Sequence, residues 1–153
     1  MRRKIFLIRI VLILILATLL ITYIFPLLFP REKSIIIHNY KLSVEIPKTM
    51  AEYQKGLSGR KALKENQSML FVFEREAYWP FWMQKMYFPI DIIWLDKNCQ
   101  VVDIEKHLPP CERETNCPSV KPNRPAQYVL ETVAGFADKY HLFMGDQLNI
   151  CRR

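Results

Sequence analysis

At 153 residues, half of them hydrophobic and 24% charged, the chain is long enough to bury one core and too short for two. Its formal net charge is +7, but Arg2, Arg3, Lys4 and Arg9 account for four of those charges and the remainder stands at +3. That balance excludes the concentrated basic footprint of a nucleic-acid binder, and four glycines in all exclude a phosphate-cradling loop of the usual kind.

The first element is apolar. Residues 10–30 carry no charge, and at ~1.5 Å per residue such a run spans about 30 Å, the hydrocarbon thickness of a bilayer. Residues 1–30 are therefore expected to be a single transmembrane anchor in the cytoplasmic membrane. The basic cluster holds the N-terminus inside and sends the following domain outside. Arg9 can snorkel to the headgroups, Tyr23 and Phe25 fall near the far interface, and Pro26 and Pro30 end the helix. The rival is a cleaved signal peptide, but no small-residue cleavage site follows the run and no cysteine follows closely enough for lipoprotein processing. Residues 31–34 read as a short linker and 35–153 as one extracytoplasmic domain.

Within that domain, 35–38 and 40–46 read as strands about His38-Asn39, the second alternating Leu42, Val44 and Ile46 with polar neighbours. Thr49 and Glu52 form a capping box for a helix over 50–54 that Gly56 ends. Residues 69–73 read as a strand, 78–88 as extended, and 90–95 as a strand turning through Asp96-Lys97-Asn98 into another over 100–108. Residues 109–125, with five prolines and two cysteines, read as an irregular loop. Residues 127–132 follow as a strand, 134–140 as a short helix and 147–151 as a last strand. The sum is an α+β domain with two short helices and a mostly antiparallel, curled, barrel-like sheet.

Several of these pieces, taken in order, resemble domain-of-unknown-function family 192, a group of small bacterial and archaeal proteins. They are Gly56-Leu57-Ser58-Gly59-Arg60, Met69-Leu70-Phe71, Phe81-Trp82-Met83, Pro89-Ile90-Asp91-Ile92, Pro109-Pro110-Cys111, Cys117-Pro118, Tyr128-Val129-Leu130-Glu131, Ala134-Gly135-Phe136 and Gly145-Asp146. The chain departs from the family at Gln84-Lys85, where Lys-Asn is usual, and at Ser58, where Met is usual. The resemblance implies a compact β-rich fold and frequent export. It implies no activity.

Outside the cytoplasm thiols oxidise, so Cys111 and Cys117 are expected to close a small disulfide across the proline-rich loop. Redox catalysis would want C-x-x-C, and a zinc site near His107 lacks a common spacing. Cys99 and Cys151 are a second bridge or two free thiols. Residues 78–88 hold six aromatics; as a strand they put Trp79, Phe81 and Met83 on one side and Tyr78, Trp82 and Met86 on the other. One such face can serve as a stacking shelf, with a doubly covered core strand as the plainer reading. Asp91 shares a face with Ile93 and Leu95, and Glu131 with Val129. Each is either tied to loop backbone N–H groups or part of a carboxylate pair in one cleft. Asp103, Glu105 and His107 form a polar stripe that could hold a divalent ion and reads more simply as a solvated edge.

No nucleophile motif, P-loop or zinc motif is present, and no cofactor or metal is expected. The leading expectation is a membrane-anchored binding or accessory module of unknown function, with Trp79, Trp82, Asp91 and Glu131 as the ligand surface and a saccharide or an envelope protein as partner. The alternatives are a hydrolase-type enzyme using Asp91 and Glu131, and an envelope interaction domain that pairs through a sheet edge.

Overall fold

The computed structural model describes residues 2–24, 33–111 and 117–151. The chain divides into two compact units, Met1–Glu32 and Lys33–Arg153.

In the first unit, helix α1 (Arg2–Leu19) runs on into a π-helical stretch, Leu20–Ile24. No helix among the described residues is long and apolar enough to cross a membrane. The four basic positions fall inside α1, which leaves residues 10–19 as its uncharged part. The far end of the expected span, at Phe25, Pro26 and Pro30, lies outside the described residues.

The second unit begins with β1 (Lys33–Ile37) and β2 (Tyr40–Glu45), an antiparallel hairpin. His38 and Asn39 take φ of 43° and 69°, the left-handed pair that lets a two-residue turn match strand twist. The expected linker is thus shortened at its end, because Lys33 and Ser34 already belong to β1. Helix α2 (Met50–Lys55) opens on the expected capping box: Thr49 Oγ1 accepts from Glu52 N at 3.2 Å, and Glu52 Oε2 accepts from Thr49 N at 3.3 Å.

Then follow β3 (Gln67–Ala77), β4 (Phe81–Trp82), β5 (Ile90–Leu95), β6 (Val101–Leu108), β7 (Ser119–Val120), β8 (Ala126–Val133) and helix α3 (Phe136–Lys139). The main sheet has six strands in the order β1-β2-β3-β8-β5-β6, and β4 pairs with β7 apart from it. All its pairs are antiparallel except β2 with β3, whose crossover carries α2. The sheet is open, with β1 and β6 at its edges, so the barrel-like expectation is corrected.

Both faces of the sheet are covered, and β5 is buried at every position. On one face Ile93 and Leu95 pack with Leu70, Leu130, Phe136 and Leu148. On the other Ile92 and Trp94 pack with Phe71, Met83, Met86 and Val129. Each such side chain contributes roughly 1.5–3 kcal/mol when fully buried. A strand covered twice loses its period-2 signature, which is why residues 92–95 are a continuous apolar run.

Three sequence expectations change. Residues 78–88 are strand only at β4; the chain then turns, with Met86 N–H donating to Met83 O at 3.3 Å, so Met86 joins Met83 in the core rather than facing away from it. Residues 147–151 form a bridge at Gln100–Gln147 and no strand. They lie under the sheet, where Leu148 and Ile150 are buried, so their alternation reflects packing and not pairing. The loop 109–125 contains β7. The cysteines stand in disulfide-like pairs, Cys111 with Cys117 at a Cα separation of 5.8 Å and Cys99 with Cys151 at 6.0 Å, within the span a bridge allows.

Candidate functional site

The aromatic density of residues 78–82 meets that of two other elements. β3 presents Phe71 and Phe73 on the face it shares with Met69. α2 lays Tyr53 across them, with ring centroids 5.8 Å and 5.7 Å away and both contacts edge-on. The Tyr53 hydroxyl donates to Val72 O at 2.6 Å and accepts from Val72 N at 3.3 Å, which pins α2 to the strand. Trp79 stacks flat on Phe73 at 4.0 Å and 10°, and Phe81 stands edge-on to Phe71 at 4.9 Å. Between these walls lies a cleft of about 730 Å³, a size usual for small-molecule sites. Trp82 lines it and remains 51% exposed.

Glu131 lines the same cleft. On β8 it stands opposite Met69 of β3 and Ile92 of β5, so neither register partner offers its carboxyl a polar group. It is 5% exposed, and Oε2 is buried without a hydrogen-bond partner among the described residues. Burial pushes its pKa up to about 8, with the charge of Arg60 pulling weakly the other way. Arg60 is itself engaged, bidentate to Glu45 at 2.7 Å and 2.6 Å, a bond that holds the Glu45 carboxyl below its ordinary range. At neutral pH Glu131 is therefore chiefly a neutral acid, able to donate as well as accept.

Gly56 makes the approach to it possible. Its φ is 49°, and a Cβ there would come to 3.4 Å from Phe71 Cζ and 3.8 Å from Glu131 Oε2. Gly56→Ala should cost about 1–3 kcal/mol through backbone strain, read as a lower urea midpoint, and should narrow the cleft over the carboxyl.

Of the side chains expected to form one surface, Trp79, Trp82 and Glu131 come together and Asp91 does not. Asp91 pairs in register with Thr132, while Glu131 pairs with Ile92. Because neighbours on a strand point to opposite faces, the two carboxylates lie on opposite sides of the sheet. The hydrolase expectation that places them in one cleft is corrected. Asp91 is fully buried and accepts from His107 N at 2.8 Å, Gly135 N at 3.1 Å and Ala137 N at 2.9 Å, which makes it a tie for loop backbone.

The polar stripe on β6 is likewise occupied: Asp103 Oδ2 accepts from Asn123 N at 2.6 Å and Oδ1 from Ile104 N at 2.9 Å. No group of His, Cys, Asp and Glu among the described residues is arranged to hold a metal. Tyr53, Phe71 and Phe73 were not singled out by the sequence. Phe71 and Phe73 share a period-2 face with Met69, which is the signal that could have found them.

The fold and cleft define a small α+β domain: an open sheet with an aromatic cleft on one face and a buried acid at its floor. The chain belongs to DUF192, the family described as uncharacterized ACR, whose model matches residues 34–150. Among solved structures it is similar to a candidate transcription regulator from Sinorhizobium meliloti 1021, at 24% identity and a TM-score of 0.66 over 76% of this chain and 89% of that one. It is also similar to a protein of unknown function from Novosphingobium aromaticivorans DSM 12444, at 24% identity and a TM-score of 0.67 over 76% of this chain and 81% of that one. These likenesses show the fold. No curated protein matches the chain.

Proposed function

We propose that the chain is a membrane-tethered, extracytoplasmic binding module whose aromatic cleft takes a small saccharide. The observation that carries this reading is the cleft of about 730 Å³ that joins an exposed Trp82 to Glu131, whose buried Oε2 has no partner among the described residues. Sugars offer both an apolar ring face that stacks on aromatics and hydroxyls that satisfy a polar floor. The tether rests on the uncharged run 10–30. Along it, Leu12 and Leu16 are exposed, and the hydroxyls of Thr18 and Thr22 donate to the helix's own carbonyls at 2.8 Å and 2.7 Å, as an apolar surrounding demands.

Titration with soluble cell-wall sugars should shift the tryptophan emission of the full-length protein, and the absence of any response would count against the reading. Trp82→Ala should weaken a responding sugar about tenfold, the loss of roughly one stacking contact. It should leave the unfolding midpoint nearly unchanged, because the side chain is half exposed. A phosphatase fused after residue 153 should be active and should sediment with membranes if the tether is as proposed.

A further inference from the structure

Glu131 is a buried acid whose Oε2 finds no hydrogen-bond partner among the described residues. Its register partners Met69 and Ile92 are apolar, and Gly56, where a Cβ would come to 3.8 Å from that oxygen, has no side chain. Native proteins leave few buried polar atoms unpaired, and those that are left call for an explanation. A partner supplied from the cleft is one.

The charges around the cleft limit what that partner can be. Lys55 of α2 and Arg75 of β3 line it beside Glu74, and the charge of Arg60 is felt at Glu131 from the loop after α2. A cationic ligand would meet Lys55 and Arg75 and would find Glu131 protonated, unable to pair with it. A neutral ligand escapes that penalty, and it spares the desolvation that burying an ion pair demands.

Resting on the binding reading above, we propose that Glu131, as a neutral carboxylic acid, donates a hydrogen bond to an acceptor oxygen of an uncharged saccharide stacked in the aromatic cleft, and so selects against amino sugars. The proton is shared and not transferred. Since burial keeps the acid protonated until about pH 8, binding requires a form that is abundant at neutral pH and scarce in alkali. Between pH 7 and pH 9.5 the apparent Kd should rise about 30-fold, because only the protonated fraction is competent.

The test uses the full-length protein in a zwitterionic, sugar-free detergent, followed by tryptophan fluorescence. The probes are tri-N-acetylchitotriose and its fully de-acetylated triamine. The acetylated trimer should bind, the triamine at least about tenfold more weakly at pH 7, and the first should show the alkaline loss. Glu131→Gln, which keeps an N–H donor, should bind within a few-fold of the parent and lose the pH dependence. Glu131→Leu, which cannot donate, should bind at least about tenfold more weakly with its circular dichroism unchanged. Tightest binding of the triamine, or affinity that grows with pH, would assign Glu131 as a carboxylate for cations and overturn the inference while leaving the cleft as a binding site. So would binding that is indifferent to both pH and Glu131→Leu. No response from either sugar at either pH would overturn the saccharide reading and the inference with it.

Discussion

Replacing Asp91 with alanine should destabilise the domain by about 5 kcal/mol, much of what a domain this size has to lose. The carboxylate is fully buried, and three backbone N–H groups converge on it from two segments. Two of those donors belong to residues in the left-handed region, His107 at φ 53° and Gly135 at φ 84°. Asp91 also faces the irregularity where β5 and β6 change register between Ile90 and Ile92. Removing the side chain strands three donors in a dry interior at roughly 1–3 kcal/mol each. It also frees the bulge in β6 and the start of α3 together. Urea unfolding of the variant should show the midpoint lowered and fluorescence should report the aromatic cleft intact below it, because the cleft lies on the other face. A loss under about 1 kcal/mol would mean that solvent or another group reaches those N–H donors.

Glu131→Gln should have the opposite sign at alkaline pH, stabilising the domain by about 4–5 kcal/mol at pH 8. The folded-state pKa is raised to about 8 from an ordinary 4.5 by burial. Below about pH 4.5 both folded and unfolded chains hold the proton and the residue costs nothing by ionisation. Between 4.5 and 8 only the unfolded chain releases it, so stability falls by about 1.4 kcal/mol per pH unit. Above 8 the loss is complete. Glutamine cannot ionise, so variant and parent should have similar midpoints near pH 4 and diverge steadily up to pH 8. Parallel profiles across that range would show that Glu131 ionises in the folded protein as readily as in the unfolded one.

Much of the local structure was legible in the residues. The Thr49–Glu52 capping box, the His38-Asn39 turn and the Asp96 turn are short-range devices, and the first and last hold their backbone by their own side chains: Asp96 Oδ1, for one, accepts from Asn98 N at 2.8 Å and Gln100 N at 2.9 Å. Long-range pairing was not legible. Nothing in residues 40–45 announces a parallel partner in 67–77, and a barrel-like closure was expected because alternation gives faces, not edges. Residues 147–151 alternate as a strand does, yet Leu148 and Ile150 are buried with the chain turning at 149–150, so alternation there does not mean pairing. At the site, the aromatic run drew attention to Trp79 and Trp82, and Glu131 drew it as a carboxylate on an apolar face. Asp91 carried the same signal for a different reason. Which of two buried acids is tied to backbone and which is left without a partner depends on what stands across the strand, and that was fixed by register.

The position of β8 bears on the order in which the chain can fold. It is the last strand in sequence, yet it lies between β3 and β5 at the centre of the sheet. Until residues 126–133 have been synthesised, the hairpin with β3 and the hairpin of β5 and β6 are two separate pieces, each with an open edge facing the other. A chain arrested before that point has neither a continuous sheet nor a floor to its cleft, because Glu131 enters with the strand that joins the halves. Long-range pairing of this kind is slow to form, and it makes the domain an all-or-none object: a truncation inside β8 removes the middle of the sheet, not its end.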